Sequence, residues 1–79
     1  MVLTERKIMD FLADELDVDT DGLSADDELF SSGLIDSFSM VSLMAFLEDS
    51  EGIQMNSMDV NLNNLDTVNR ILAYLAKVT

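Results

Sequence analysis

The sequence predicts an all-α domain: a four-helix bundle with a long loop between the first and second helices and a short third helix. Three observations predict it. Apolar residues recur at helical spacing near both ends of the chain; the stretch from Phe38 to Glu51 holds no Gly or Pro; and the 79 residues contain no Pro, no internal repeat and no low-complexity segment that would mark a linker. Residues 1–79 therefore read as a single domain. Its core must be thin, because a chain of this size buries little more than about 60% of the surface its unfolded form exposes.

The first helix is expected to start at Thr4 as N-cap and to run to about Leu16, with Ile8, Phe11, Leu12 and Leu16 on one face. Lys7, at the third helical position, breaks the usual capping box and opposes the helix dipole. Asp17 to Ile35 then forms the long connection, anchored by Leu23, Leu29, Phe30, Leu34 and Ile35. A loop of that length inside a compact domain is usually functional or packed on itself. Near its end, Gly33 supplies a backbone conformation open to glycine, which lets the loop turn into the next helix.

The second helix is expected from Ser37 to about Ser50. It is apolar almost all round, and at 100° per residue Met40, Leu43, Met44 and Leu47 cluster on one face while Phe38, Val41 and Ala45 form a stripe on the other. One face can line a core; the second needs another explanation, burial beneath the long loop or docking of a partner. Ser57 to about Leu62 reads as the short third helix. Asp66 is then expected to cap a fourth helix from Thr67 to Val78, with Val68, Ile71, Leu72, Leu75 and Val78 facing inward. The six methionines raise the question of a pliable cavity for a bound chain, but Met40 and Met44 read as ordinary gap fillers.

Composition excludes several functions. With no Cys and no His, the chain has no thiol nucleophile, imidazole base or disulfide, so it is expected not to be an enzyme. Residues 1–16 alternate apolar with charged side chains, unlike a secretory leader, and the longest apolar run, Leu43 to Leu47, falls far short of a bilayer span. A soluble, cytoplasmic protein is the expectation. The net charge is −12, and all 16 acids but Glu5 lie between Ile8 and Asn69, where no Lys or Arg occurs. That field repels nucleic acid and anionic membrane, and it draws in a basic protein partner.

One motif points to metal. Asp17-Val18-Asp19-Thr20-Asp21-Gly22, followed after five residues by Glu28, satisfies the calcium-loop pattern at every specified position, with oxygen ligands where a hard cation requires them. Three features oppose a small acidic calcium-binding protein built on the Asp17 to Glu28 loop. Ser24 stands where such loops carry an apolar residue, Gly33 interrupts the exiting helix, and no sister loop follows. The abundance of Asp also favours a chance match, and no metal ligand is assigned.

The other motif points to a covalent attachment. Ser37 stands where the loop enters the second helix, among backbone N–H groups without intrahelical partners and at the positive end of the helix dipole. A phosphate esterified to its oxygen would meet a favourable field. The structural alternative is that Ser37 is simply the N-cap. The string from Phe30 to Leu47, Phe-Ser-Ser-Gly-Leu-Ile-Asp-Ser-Phe-Ser-Met-Val-Ser-Leu-Met-Ala-Phe-Leu, decides between them. It resembles the attachment site of acyl and peptidyl carrier proteins, in which the serine after the aspartate receives 4′-phosphopantetheine, and the resemblance extends to length, acidity and helix order.

The resemblance implies a carrier-protein bundle with the cofactor on Ser37. It further implies an acyl or aminoacyl group held as a thioester on the arm, Asp36 as part of the surface read by the modifying enzyme, and a monomer on its own. Its partners would be a phosphopantetheinyl transferase, an adenylating ligase or acyltransferase, and a downstream synthase. Phe38, Val41 and Ala45, with charge at Asp36 and Glu48, form the candidate docking surface. Two departures stand out: Ser39 and Ser42 replace acids that many fatty-acid carriers place early in this helix, and Glu51-Gly52 replaces an aromatic at its end. Leu-Ile-Asp-Ser-Phe is closer to peptidyl and specialised-metabolite carriers, which implies a polyketide or nonribosomal peptide pathway.

Overall fold

The computed structural model describes residues 2–79, and four α-helices and one short 3₁₀ turn make up its regular structure. The helices are α1 (Glu5–Glu15), α2 (Ser37–Glu51), α3 (Leu62–Leu65) and α4 (Val68–Val78), with the 3₁₀ turn at Ser57–Asp59 before α3. No strand occurs among the described residues. The radius of gyration, 11.3 Å, matches the roughly 12 Å of a close-packed chain of this length.

Each helix begins where a side-chain oxygen can satisfy a free backbone donor. Thr4 Oγ1 accepts the Lys7 N–H at 3.3 Å to start α1, as expected. At the end of α1 the chain reverses at Asp17, whose φ of 58° is left-handed, and the Val18 N–H returns to the Leu12 carbonyl at 3.0 Å. The reversal drops Val18 into the core. Helix α2 closes on Gly52, also left-handed at φ 66°, with the Gly52 and Ile53 N–H groups both directed to the Glu48 carbonyl.

The core is one cluster that draws on every helix and on the loop. Ile8 and Leu12 of α1, Leu43 and Leu47 of α2, Leu65 of α3, and Val68, Ile71, Tyr74 and Leu75 of α4 meet Val18, Leu29, Ile35 and Met55 from the connections. Helix α4 packs against α1 and α3. The long connection is thus packed on itself and on the bundle, with Leu29 and Ile35 as its buried anchors; Leu23 and Phe30 are half-buried and Leu34 is exposed.

Several expected details change. The short third helix lies at Leu62–Leu65, capped by Asn61, and the expected Ser57 start belongs to the 3₁₀ turn, because Asn56 and Asn61 each cap a separate short element. Helix α4 is capped by Thr67, whose Oγ1 accepts the Arg70 N–H at 3.0 Å, and Asp66 is turned elsewhere. Val78, in the last turn of α4, is 42% exposed, and its place in the core is taken by Tyr74. The Tyr74 hydroxyl donates to Asp59 Oδ2 at 3.1 Å, and burial, followed by that carboxylate, pushes the phenol above its ordinary range. Phe11, Leu16, Met40 and Met44 are half-buried, with Phe11 stacked on Phe46 at 4.1 Å between ring centres.

The unusual end of α2 is also accounted for. Glu51 reaches the start of the chain, where its carboxylate accepts the N–H groups of Val2 at 2.9 Å and Leu3 at 2.7 Å. The Leu3 N–H bond, against a smaller opposing effect of desolvation, holds the Glu51 carboxyl below its ordinary range, and the Val2 N–H and Lys7 assist. An acid at this position closes the N-terminal segment over the α2 end by hydrogen bonds rather than by ring packing.

Candidate functional site

The loop that delivers Ser37 is built on one buried acid. Asp66 is 1% exposed, and its Oδ1 accepts the Phe30 N–H at 2.9 Å and the Ser31 N–H at 3.0 Å. Its Oδ2 takes the Ser31 hydroxyl at 2.6 Å, and its backbone carbonyl takes the Leu29 N–H at 2.6 Å. Burial alone would raise the Asp66 pKa; the Ser31 hydroxyl, the Ser31 and Phe30 N–H groups and the charge of Arg70 outweigh it and hold the carboxyl below its ordinary range. The acid is therefore ionised at neutral pH inside the protein, with charge-assisted bonds in place of water.

From that anchor the chain makes a closed turn. The Gly33 N–H returns to the Phe30 carbonyl at 3.0 Å, and the Ile35 N–H returns to the Leu29 carbonyl at 3.0 Å. Gly33 lies at φ 80°, the left-handed conformation that the turn requires and that a Cβ would disfavour. Ile35 is buried, and the next residue, Asp36, is extended and becomes the N-cap of α2.

Ser37 is not the cap. Asp36 Oδ1 accepts the Ser39 N–H at 2.9 Å, and Ser37 stands one position on, as the first residue of α2, exposed to solvent. The Ser39 backbone N–H, then the Ser39 side chain, lowers the Asp36 pKa, so the cap is a carboxylate at neutral pH. This division of labour leaves the Ser37 hydroxyl free of capping and sets it at the positive end of a helix of four turns. The surroundings fit a covalently attached phosphodiester: an exposed oxygen, a helix N-terminus behind it, and open solvent for a long arm.

The expected docking stripe is on the surface. Phe38 is 86% exposed, Val41 is 63% exposed, and Ala45 is exposed at the edge of a shallow groove between Phe46 and Ile53. None of the three is covered by the long loop. Glu48 is differently placed: its Oε2 accepts the Met55 N–H at 2.7 Å, so the side chain secures the turn after α2.

The structure does not assemble the calcium loop. Asp17 is spent on the left-handed turn that ends α1, and Val18 beside it is a core residue. Asp19, a ligand position of the pattern, accepts the Asp21 N–H instead. Among the described residues no group of three or more acidic side chains is placed to hold a metal ion. The motif matches by spacing, but its carboxylates are not gathered around a common point.

Sequence reasoning missed the role of Asp66 and Ser31. Their partnership spans 35 residues, and an acid before Thr-Val reads locally as a helix cap, so no nearby pattern marks it. The string from Phe30 to Leu47 lies inside a region that matches a known family. The family model described as "Phosphopantetheine attachment site" matches residues 6–75. The D-alanyl carrier protein of Staphylococcus saprophyticus is 29% identical over 72 residues, covering 91% of this chain and 92% of that protein. The helical fold, the free serine at the head of α2 and a match across nearly the whole chain agree: the protein belongs to the phosphopantetheine-binding carrier proteins, whose prosthetic group is a covalently attached 4′-phosphopantetheine.

Proposed function

We propose that Ser37 is the attachment residue and that the chain is an aminoacyl carrier, which holds its cargo as a thioester and presents it to successive enzymes. The observation that carries this reading is the exposed Ser37 at the first position of α2, relieved of capping by Asp36. In the attachment step the Ser37 oxygen bonds to the phosphorus of the pantetheine phosphate of coenzyme A. The P–O bond to the nucleotide breaks, 3′,5′-adenosine bisphosphate leaves, and the serine proton passes to a base of the transferase. Once attached, the arm supplies the thiol that this Cys-free chain lacks. The protein contributes no reacting group beyond the hydroxyl. It contributes a tether, which replaces bulk encounter by a high effective concentration at each docked enzyme.

An aminoacyl cargo is supported by two separate likenesses, the peptidyl-type Leu-Ile-Asp-Ser-Phe string and the relative named as a D-alanyl carrier protein. The partners in this reading are a phosphopantetheinyl transferase, an adenylating ligase that loads the amino acid, and a downstream synthase of nonribosomal peptide type. Phe38, Val41 and Ala45 form the docking surface, with Asp36 at its upper end. Because Ser39 and Ser42 stand where charge would reinforce that face, affinity rests on apolar anchors, with the acidic field steering the approach.

The test is mass spectrometry after incubation with coenzyme A and a broad-range phosphopantetheinyl transferase. One phosphopantetheine should be gained, and Ser37→Ala should gain none. The modified protein is then offered amino acids with ATP and an adenylating ligase, and in parallel acyl-coenzyme A with an acyltransferase. Loading only in the second arm would reassign the carrier to a polyketide-type acyl cargo.

A further inference from the structure

We propose that Asp66 is a positioning residue for the modification of Ser37: its buried carboxylate fixes residues 29–31, and through them the geometry in which Asp36 and Ser37 meet the modifying enzyme. The inference rests on Ser37 being the attachment residue. Asp66 touches neither Ser37 nor Asp36. It acts through a short chain of hydrogen bonds.

Three donors from Phe30 and Ser31 converge on the two carboxylate oxygens, and the Leu29 N–H is held by the Asp66 carbonyl. The Leu29 carbonyl in turn receives the Ile35 N–H, and Ile35 directly precedes the cap. Helix α4 reinforces the same loop from a second point, since the Asn69 N–H donates to the Ala25 carbonyl at 3.0 Å. Between these anchors and Ser37 the chain is a turn of exposed Ser32, Gly33 and Leu34, which has little packing of its own. Without the Asp66 carboxylate, the Phe30 and Ser31 donors lose their partner and the base of the turn opens, although the leucines of the bundle still form their cluster.

The consequence for the reaction follows from populations. A transferase that accepts one geometry of Asp36-Ser37 sees only the fraction of molecules that hold it, and its apparent affinity falls by that fraction. Chemistry within the complex is unaffected, because the bound loop is already in the accepted geometry. Asp66→Ala is therefore expected to raise KM for the carrier about tenfold in phosphopantetheine transfer while kcat stays within about twofold. General destabilisation of a protein that remains folded at the assay temperature moves neither constant.

The experiment measures both constants on the purified chain with coenzyme A and a broad-range transferase, alongside circular dichroism and melting. Ile71→Val and Ile71→Ala, core variants whose losses of melting temperature bracket that of Asp66→Ala, are the controls and should keep the wild-type KM. Amide hydrogen exchange should quicken at Gly33 and Ile35 in Asp66→Ala and stay protected at Leu75. Should Asp66→Ala fail to fold, Asp66→Asn and Ser31→Ala carry the test: a threefold or larger KM rise in either supports the proposal, and a smaller rise in both overturns it. An unchanged KM in folded Asp66→Ala, or an equal rise in either Ile71 variant, also overturns it. If wild-type protein gains no mass, or Ser37→Ala gains it too, the attachment reading itself has failed.

Discussion

At the residue scale, two acids one and two positions ahead of a helix start do opposite jobs. Asp36 is an exposed cap whose carboxylate serves the helix it precedes, whereas Asp66 precedes Thr67, leaves the capping to it, and turns its charge into the interior. The interior position makes Asp66 sensitive to acid. Its folded pKa is depressed, so the stability it contributes is present above the pKa of the unfolded chain, about 4 for Asp, and is lost as pH falls through the lower folded value. Glu51, depressed in the same direction, adds to that limb. Asp66→Asn is expected to be less stable than wild type at pH 7 by about 1.5–3 kcal/mol, the worth of hydrogen bonds to a charged group. The difference should narrow as the pH is lowered towards 3, and urea unfolding at a series of pH values measures it. A gap that stays constant with pH would show that the charge of Asp66 contributes nothing.

At the scale of elements, α2 has two faces with different tolerances. Leu43 and Leu47 are fully buried, and Leu47→Ala is expected to cost about 2–5 kcal/mol, a large part of the stability of so small a domain. Val41, 63% exposed on the other face, should accept Asp with a change of no more than about 0.5 kcal/mol and with weakened docking to the loading enzyme. Urea denaturation and a binding titration separate the two effects. The same contrast explains what could be read from the sequence. Helices α1 and α4 were legible from an apolar stripe at helical spacing and α2 from a run without Gly or Pro; of their caps only Thr4 was read correctly, since Asp36 and Thr67 serve where Ser37 and Asp66 were weighed. Helix α3 has four residues, too few for a period, and its start was displaced onto the neighbouring 3₁₀ turn. The place of Ser37 at the head of α2 was legible because its signal is contiguous, whereas the exposure of Phe38, Val41 and Ala45 was one of two readings the sequence left open. The Asp66 clamp was not, because it joins two segments that are far apart in the chain. The calcium pattern shows the converse: its spacing is local, but Val18 within it answers to the distant core.

At the scale of the whole molecule, a net charge of −12 is confined to a body with principal extents of 29 × 22 × 20 Å. Many of the acids are therefore within about a Debye length, 10 Å at 0.1 M salt, of another. Compaction works against that repulsion, and added NaCl or MgCl₂ is expected to raise the melting temperature by screening it. A flat response in differential scanning calorimetry would show that repulsion contributes little. The same screening bears on Phe38. A ring 86% exposed beside Ser37 is an invitation to any apolar surface, including the ring of another copy. In dilute buffer like-signed molecules hold one another off; in brine that guard is gone, and light scattering should register clustering under the conditions that make each single molecule hardest to melt. One solvent variable thus sets colloidal behaviour and thermal endurance in opposition, and the bare ring of Phe38 is where the two collide.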